Sequence, residues 1–179
     1  MALTDEWVGA PMVTDASVDD LVLRYLAAFG PATPADVQTW SWLTAIRPIL
    51  ERLRPRLRTF RDEAGRELFD VPDGPLPDPE TPAPVRFLPL YDNVFLSHKD
   101  RSRIVDPRHK GGPYLKGFVL VDGFLRAIWE TNRDKGVATL VVRPAEPIGR
   151  QDRAEVGQEG ERLLRFLHAD ASTYRVTIG

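Results

Sequence analysis

Six arginines fall between Arg47 and Arg61 (Arg47, Arg52, Arg54, Arg56, Arg58 and Arg61) against one acid, Glu51, in a chain whose formal net charge is -2. A guanidinium offers a rigid fork of N–H donors that matches phosphate oxygens and guanine edges, so such a cluster suits contact with a nucleic-acid duplex. A second basic run lies between His98 and Lys116. There Lys99, Arg101, Arg103, Arg108, Lys110 and Lys116 outnumber Asp100 and Asp106, and Gly111-Gly112 permits close backbone approach beside Tyr114. These residues suit phosphate contact, with base stacking on the tyrosine. The competing reading of both runs is a solvated surface whose local ion pairs, such as Asp100 with Arg103 and Asp106 with Arg108, contribute little. Other chemistries are thinner. Without cysteine there is no disulfide, thiolate nucleophile or Cys-ligated metal. His98, Asp106 and His109 lack the fixed spacing of a zinc site, so neither a metal nor another cofactor is expected. Asp92 has the chemistry of a general acid or base, with the alternative that it holds Arg101 or a backbone turn.

The elements that carry the first cluster are announced by local signals. Ser17-Val18-Asp19-Asp20 is a capping box ahead of Leu21, Val22, Tyr25, Leu26 and Phe29 at helical spacing, and Gly30 can supply a left-handed end. Thr33-Pro34-Ala35-Asp36 repeats the start signal, with proline at the first helical position, and predicts a second helix to about Trp40. Ile46, Ile49, Leu50 and Leu53 mark the apolar face of a third helix that turns Arg47, Glu51, Arg52 and Arg54 outward. Pro48 places itself in the first turn of that helix, or the helix begins later. From Arg56 the period changes: Arg56–Arg61 and Arg66–Val71 flank Glu63-Ala64-Gly65 as a hairpin. Helix, short helix, arginine-bearing helix and hairpin is the order of a winged-helix nucleic-acid-binding domain, with the hairpin as wing. Trp40, Trp42 and Trp129 are expected in the core rather than as wedges between bases.

Six prolines between Pro72 and Pro84 make an extended connector. Beyond it, Val85–Pro89 predicts a strand. Phe118–Val121 and Phe124–Trp129 flank Asp122-Gly123, a two-residue hairpin turn, and Val137–Val142 follows as a third strand of a meander. A helix from about Asp152 to His168 is weakened by Gly157 and Gly160 and must be held by packing, and Tyr174–Ile178 closes as a last strand. The first twenty residues carry five acids and no lysine or arginine, so this end should lie away from a phosphate backbone. At 179 residues and 42% apolar content the chain can build a packed core. No apolar run is long enough to span a membrane, and the amino terminus has no basic leader.

The stretch Leu88-Pro89-Leu90-Tyr91-Asp92-Asn93-Val94-Phe95-Leu96-Ser97-His98-Lys99-Asp100-Arg101-Ser102-Arg103, with Glu51–Leu57 and Gly65–Asp70 upstream, resembles a winged-helix DNA-binding family that includes bacterial DNA glycosylases excising alkylated bases and unhooking interstrand crosslinks. The chain is similar to actinobacterial members described as winged helix DNA-binding domain-containing proteins, from Trp7-Val8-Gly9-Ala10-Pro11 to the carboxy terminus. The resemblance singles out Tyr91, Asp92, Asp100 and Arg101 as a structural motif. It implies tandem winged helices followed by a small β-barrel in members roughly twice this length, of which this chain resembles the later, carboxy-terminal half. Glycosylase members carry a catalytic Gln-x-Gln motif, whereas the glutamines here are Gln38, Gln151 and Gln158. No catalytic residue is carried over.

The resulting expectation is an α+β protein, a winged helix-turn-helix followed by a small antiparallel β-barrel with a packed helix. It divides into an acidic segment (1–16), a winged helix (17–71), a proline-rich connector (72–84) and a small β-barrel domain (85–179). The expected function is cytoplasmic binding of double-stranded DNA through non-specific phosphate contacts from Arg47, Arg52, Arg54, Arg58, Arg61, Lys99, Arg103, Arg108 and Lys110, as the duplex-gripping part of a DNA-repair glycosylase-like protein. A noncatalytic protein-interaction or transcription-regulatory module with a protein partner is the alternative. An enzyme using Asp92 or His98 is the third.

Overall fold

The computed structural model describes residues 3–12, 15–106 and 116–179. Contacts divide the chain into two compact units, Met1–Leu76 with Ser97–Lys99, and Pro77–Leu96 with Asp100–Gly179. No helix among the described residues is long and apolar enough to cross a membrane.

The first unit opens with α1 (Thr4–Val8), which buries none of its side chains. Helix α2 (Val18–Phe29) is capped by Ser17, whose hydroxyl accepts from the Asp19 N–H at 3.1 Å. The expected left-handed end at Gly30 is not formed: Gly30 is extended (φ -64°, ψ 161°). It is required for closeness instead, because a Cβ there would stand 2.2 Å from the Asp70 carboxylate. Helix α3 (Pro34–Ser41) starts at a reciprocal box in which Asp36 N–H donates to Thr33 Oγ1 and Thr33 N–H donates to Asp36 Oδ2. Helix α4 (Ile46–Leu53) holds Pro48 in its first turn, where its missing N–H costs no helical bond. A single 3-10 turn (Arg54–Arg56) leads into β1 (Arg58–Arg61) and β2 (Glu67–Asp70), which pair antiparallel from Arg58 opposite Asp70 to Arg61 opposite Glu67. Ala32 bridges to Phe69 through two backbone hydrogen bonds of 2.9 and 2.8 Å, adding a third extended segment beside the hairpin. Val22, Tyr25, Leu26, Val37, Ile46, Leu50, Leu53 and Phe69 form the core these elements share.

The second unit is an open five-stranded sheet in the order β3 (Arg86–Leu88), β4 (Gly117–Val121), β5 (Phe124–Asp134), β6 (Val137–Pro144), β7 (Thr173–Ile178), with a short helix α5 (Asn93–Leu96) after β3. This corrects the expected antiparallel barrel in two respects. The sheet does not close, since β3 and β7 lie at opposite edges, and β7 runs parallel to β6. The cause is α6 (Arg150–Leu167): a parallel pair needs a crossover long enough to return the chain to the starting end, and this helix is that crossover. The meander itself forms as expected. Asp122 and Gly123 both take positive φ (50° and 74°) in the β4–β5 turn, and Lys135-Gly136 does the same between β5 and β6. Along β4, Val119 joins the core under α6 while its neighbour Phe118 joins a second cluster with Phe95 and Val105, as strand alternation requires. Gly160 is what lets α6 lie close, for a Cβ there would meet Leu140 at 2.6 Å.

Candidate nucleic-acid interface

The structure sorts the arginines of the first cluster by what holds them. On α4, Ile46, Leu50 and Leu53 are buried, which turns Arg47, Glu51 and Arg52 to solvent. Arg52 is paired with Asp19 of α2, and the hydrogen bond from Arg52 holds the Asp19 carboxyl below its usual range. Arg54 is more tightly fixed. Its guanidinium donates to both oxygens of Glu51 (2.7 and 3.0 Å) and both of Glu67 (3.0 Å each), and it lies 5.1 Å from the centre of the Phe69 ring. Glu51 and Glu67 are each held below the ordinary carboxylate range chiefly by those hydrogen bonds.

Arg58 is the most committed of the set. Strand pairing places it opposite Asp70, whose side chain is 1% exposed, and Arg58 Nη2 reaches Asp70 Oδ2 at 2.8 Å and the Gly74 carbonyl at 2.7 Å. The other Asp70 oxygen accepts the Val71 N–H at 2.8 Å. This aspartate fits only because Gly30 and Gly74 have no Cβ to displace it. Arg61, on the exposed side of the alternating strand, donates to the Gly65 carbonyl across the turn.

Arg47 and Arg56 differ from all of these. Both are exposed, and neither forms a hydrogen bond or ion pair with another described residue. Arg56 stands in the 3-10 turn between α4 and the hairpin, a position not included among the expected contacts; its place at the end of the helix, between two arginines with acid partners, is the signal that marks it.

Of the second cluster, Arg108 and Lys110, with His109, Gly111-Gly112 and Tyr114, lie outside the described residues. Ser97–Lys99 belongs to the first unit. Tyr25 Oη donates to the Ser97 carbonyl at 2.6 Å in a buried contact, and the Lys99 N–H donates to Asp36 Oδ1 at 2.9 Å, leaving the Lys99 side chain exposed. Burial, followed by the nearby Asp36 charge, pushes the Tyr25 phenol above its ordinary range. Arg103 is exposed in the turn that follows. Asp92 Oδ1 accepts the Val94 N–H at 2.8 Å at the start of α5. Asp100 accepts from both the N–H and the hydroxyl of Ser102. Arg101 donates to the Phe95 carbonyl at 3.1 Å and lies over the Phe95 ring at 4.2 Å. Tyr91 is exposed with positive φ. No group of three metal-ligating side chains is present among the described residues.

Trp40 and Trp129 pack as expected. Trp40 contacts the rings of Tyr25 and Phe29, and Trp129 meets Phe87 edge-on while its indole N–H donates to the Leu88 carbonyl at 2.9 Å. Trp42 does not follow, and corrects the expectation of a core role: it is 91% exposed. Helix α3 stops at Ser41, and the left-handed residue that ends it is Trp42 itself (φ 60°), which turns the indole outward.

A profile of the DNA glycosylase AlkZ-like family matches residues 1–166. Among solved structures, the chain resembles the Streptomyces sahachiroi DNA glycosylase AlkZ with a TM-score of 0.72 at 20% sequence identity, over 98% of this chain and 50% of that one. It thus spans about half the length of the structure it matches. No curated protein matches it. With nearly its whole length under the family profile, the chain belongs to the DNA glycosylase AlkZ-like family.

Proposed function

We propose that this chain grips double-stranded DNA through a winged helix, as the duplex-binding portion of a DNA-repair glycosylase-like protein. The observation that carries the reading is the pair Arg47, in the first turn of α4, and Arg56, in the 3-10 turn after it, both exposed and neither hydrogen-bonded nor ion-paired to a described residue, while Arg52, Arg54 and Arg58 between and beside them are held by acids. The order α2, Ala32 bridge, α3, α4, hairpin supports the winged-helix description, because the bridge supplies the short extended segment between the first two helices. Phosphate contacts are assigned to Arg47, Arg56, Arg61, Lys99 and Arg103, to Arg52 and Arg54 where phosphate displaces a carboxylate, and to Arg108 and Lys110. Arg58 serves the fold first. Base excision is not assigned to this chain, since Gln38, Gln151 and Gln158 do not form Gln-x-Gln. A cytoplasmic location accompanies the DNA partner.

Fluorescence anisotropy with a labelled duplex tests this reading. If about five phosphates are met, affinity should fall with log salt at a slope of about -4 to -5, with little dependence on sequence. Absence of binding at low salt would refute it. The protein-docking alternative is favoured by α1, where Trp7 is 83% exposed and nothing is buried. Concentration-independent mass in light scattering, alone and with DNA, would argue against a second copy as that partner.

A further inference from the structure

Two tryptophans stand almost wholly in solvent, Trp7 at 83% and Trp42 at 91% exposure. Their sequence neighbours are opposite in charge. Trp7 follows Asp5 and Glu6 in α1, whereas from Val37 to Leu50 the only charged side chain is Arg47. Trp42 also occupies a left-handed backbone conformation (φ 60°, ψ 7°) that favours glycine or asparagine over a bulky residue. The turn from α3 to α4 therefore accepts backbone strain at a residue that contributes nothing to the core, whose aromatic packing is supplied by Trp40. An outward indole whose nearest charged side chain in sequence is a cation is suited to one class of ligand, a base whose π-face is open and whose backbone carries negative charge.

We propose that Trp42 is a nucleotide-stacking contact, laying its indole against a base that has lost its own stacking partner while Arg47 holds phosphate in the first turn of α4. The inference rests on the DNA-binding reading above and names the form of DNA preferred: a duplex interrupted by an unstacked or unpaired base. In an intact duplex each base face is already covered, so the indole gains only where unstacking has been met beforehand by a mismatch or lesion.

The test uses the full chain and two labelled duplexes of equal length, one fully paired and one with a single mismatch. The parent should bind the mismatched duplex more tightly. Trp42→Ala should weaken that binding roughly tenfold and leave the salt slope unchanged, because it removes stacking and no charge. Trp42→Phe should retain most of the affinity, and Trp7→Ala should bind like the parent. Trp42→Gly, which tolerates the positive φ, should show the same loss as Trp42→Ala. If Trp42→Gly binds like the parent, the alanine effect came from a distorted turn and stacking is overturned. Parent-like binding by Trp42→Ala, while the parent itself binds DNA, overturns the inference and leaves the DNA-binding function standing. No binding by the parent at low salt removes the function and the inference together.

Discussion

The root of the hairpin and the outer end of α4 carry the same residue type for opposite purposes. At the root, Arg54 is clamped between the exposed Glu51 and the half-buried Glu67, and Arg58 reaches the buried Asp70, so that they join helix to strand and strand to strand. At the outer end, Arg47 forms no hydrogen bond or ion pair with a described residue, and the exposed Trp42 precedes it in the turn. The difference is one of desolvation. Asp70 is out of water and must have its cation, whereas the Arg47 guanidinium remains hydrated until a ligand displaces that water. Local arginine density thus adds two populations, of which only the second is available to phosphate without a structural cost.

The largest effect that sharpens this contrast is on stability. Arg58→Ala leaves the Asp70 carboxylate buried with a backbone N–H as its remaining described partner, and should cost about 3–5 kcal/mol in thermal or denaturant unfolding. Arg47→Ala should stay within about 0.5 kcal/mol of the parent and lower the salt slope of DNA binding by about one unit. An Arg58→Ala protein that melts like the parent would break the division between the two regions.

Much of the helical unit was legible from local chemistry. Thr33 and Asp36 form the box their spacing announces, and Asp122-Gly123 makes its turn, because both signals act within a few residues. The root of the hairpin was legible in principle: centring the turn between Asp62 and Arg66 sets Arg61 against Glu67 and therefore Arg58 against Asp70. What sequence periodicity did not contain is long-range pairing. The single-residue bridge at Ala32 has no period, and the direction of β7 depends on where α6 returns the chain rather than on any residue in Tyr174–Ile178. Trp42 was misplaced because hydrophobicity says nothing of where a helix stops, and one residue more of α3 decides which way the ring faces.

A middle-sized effect concerns Lys99, which reaches the helical unit only because Ser97–Lys99 docks on it. Tyr25→Phe removes the hydroxyl that donates to the Ser97 carbonyl and leaves a buried acceptor unmatched, a loss of about 1–3 kcal/mol by denaturant titration. If Lys99 belongs with Arg47 in the population proposed to contact phosphate, Lys99→Ala should lower the salt slope by about one unit without that stability loss. An unchanged slope would confine the population to α4 and the hairpin.

The smallest expected effect is the pH response of the Arg54 clamp. Arg54 hydrogen bonds hold the Glu67 and Glu51 carboxyls below the usual carboxylate range, so their folded values lie below their unfolded ones. A group of that kind stabilises the fold fully above its unfolded pKa, near about 4.3 for glutamate, and the contribution is lost as pH falls through the lower, folded value. Thermal melts should therefore be flat around neutrality with respect to this clamp and should drop below about pH 4. Glu67→Gln should reduce that acid-side drop while lowering the neutral-pH melting temperature slightly, because the amide still accepts from Arg54 but no longer titrates. These carboxyls remain in contact with solvent, and the difference should be modest beside the Arg58→Ala loss. Parallel acid limbs for parent and Glu67→Gln would show that Arg54 is as free as Arg47, and the boundary between the two arginine populations would then move from the α4–hairpin junction to Asp70 alone.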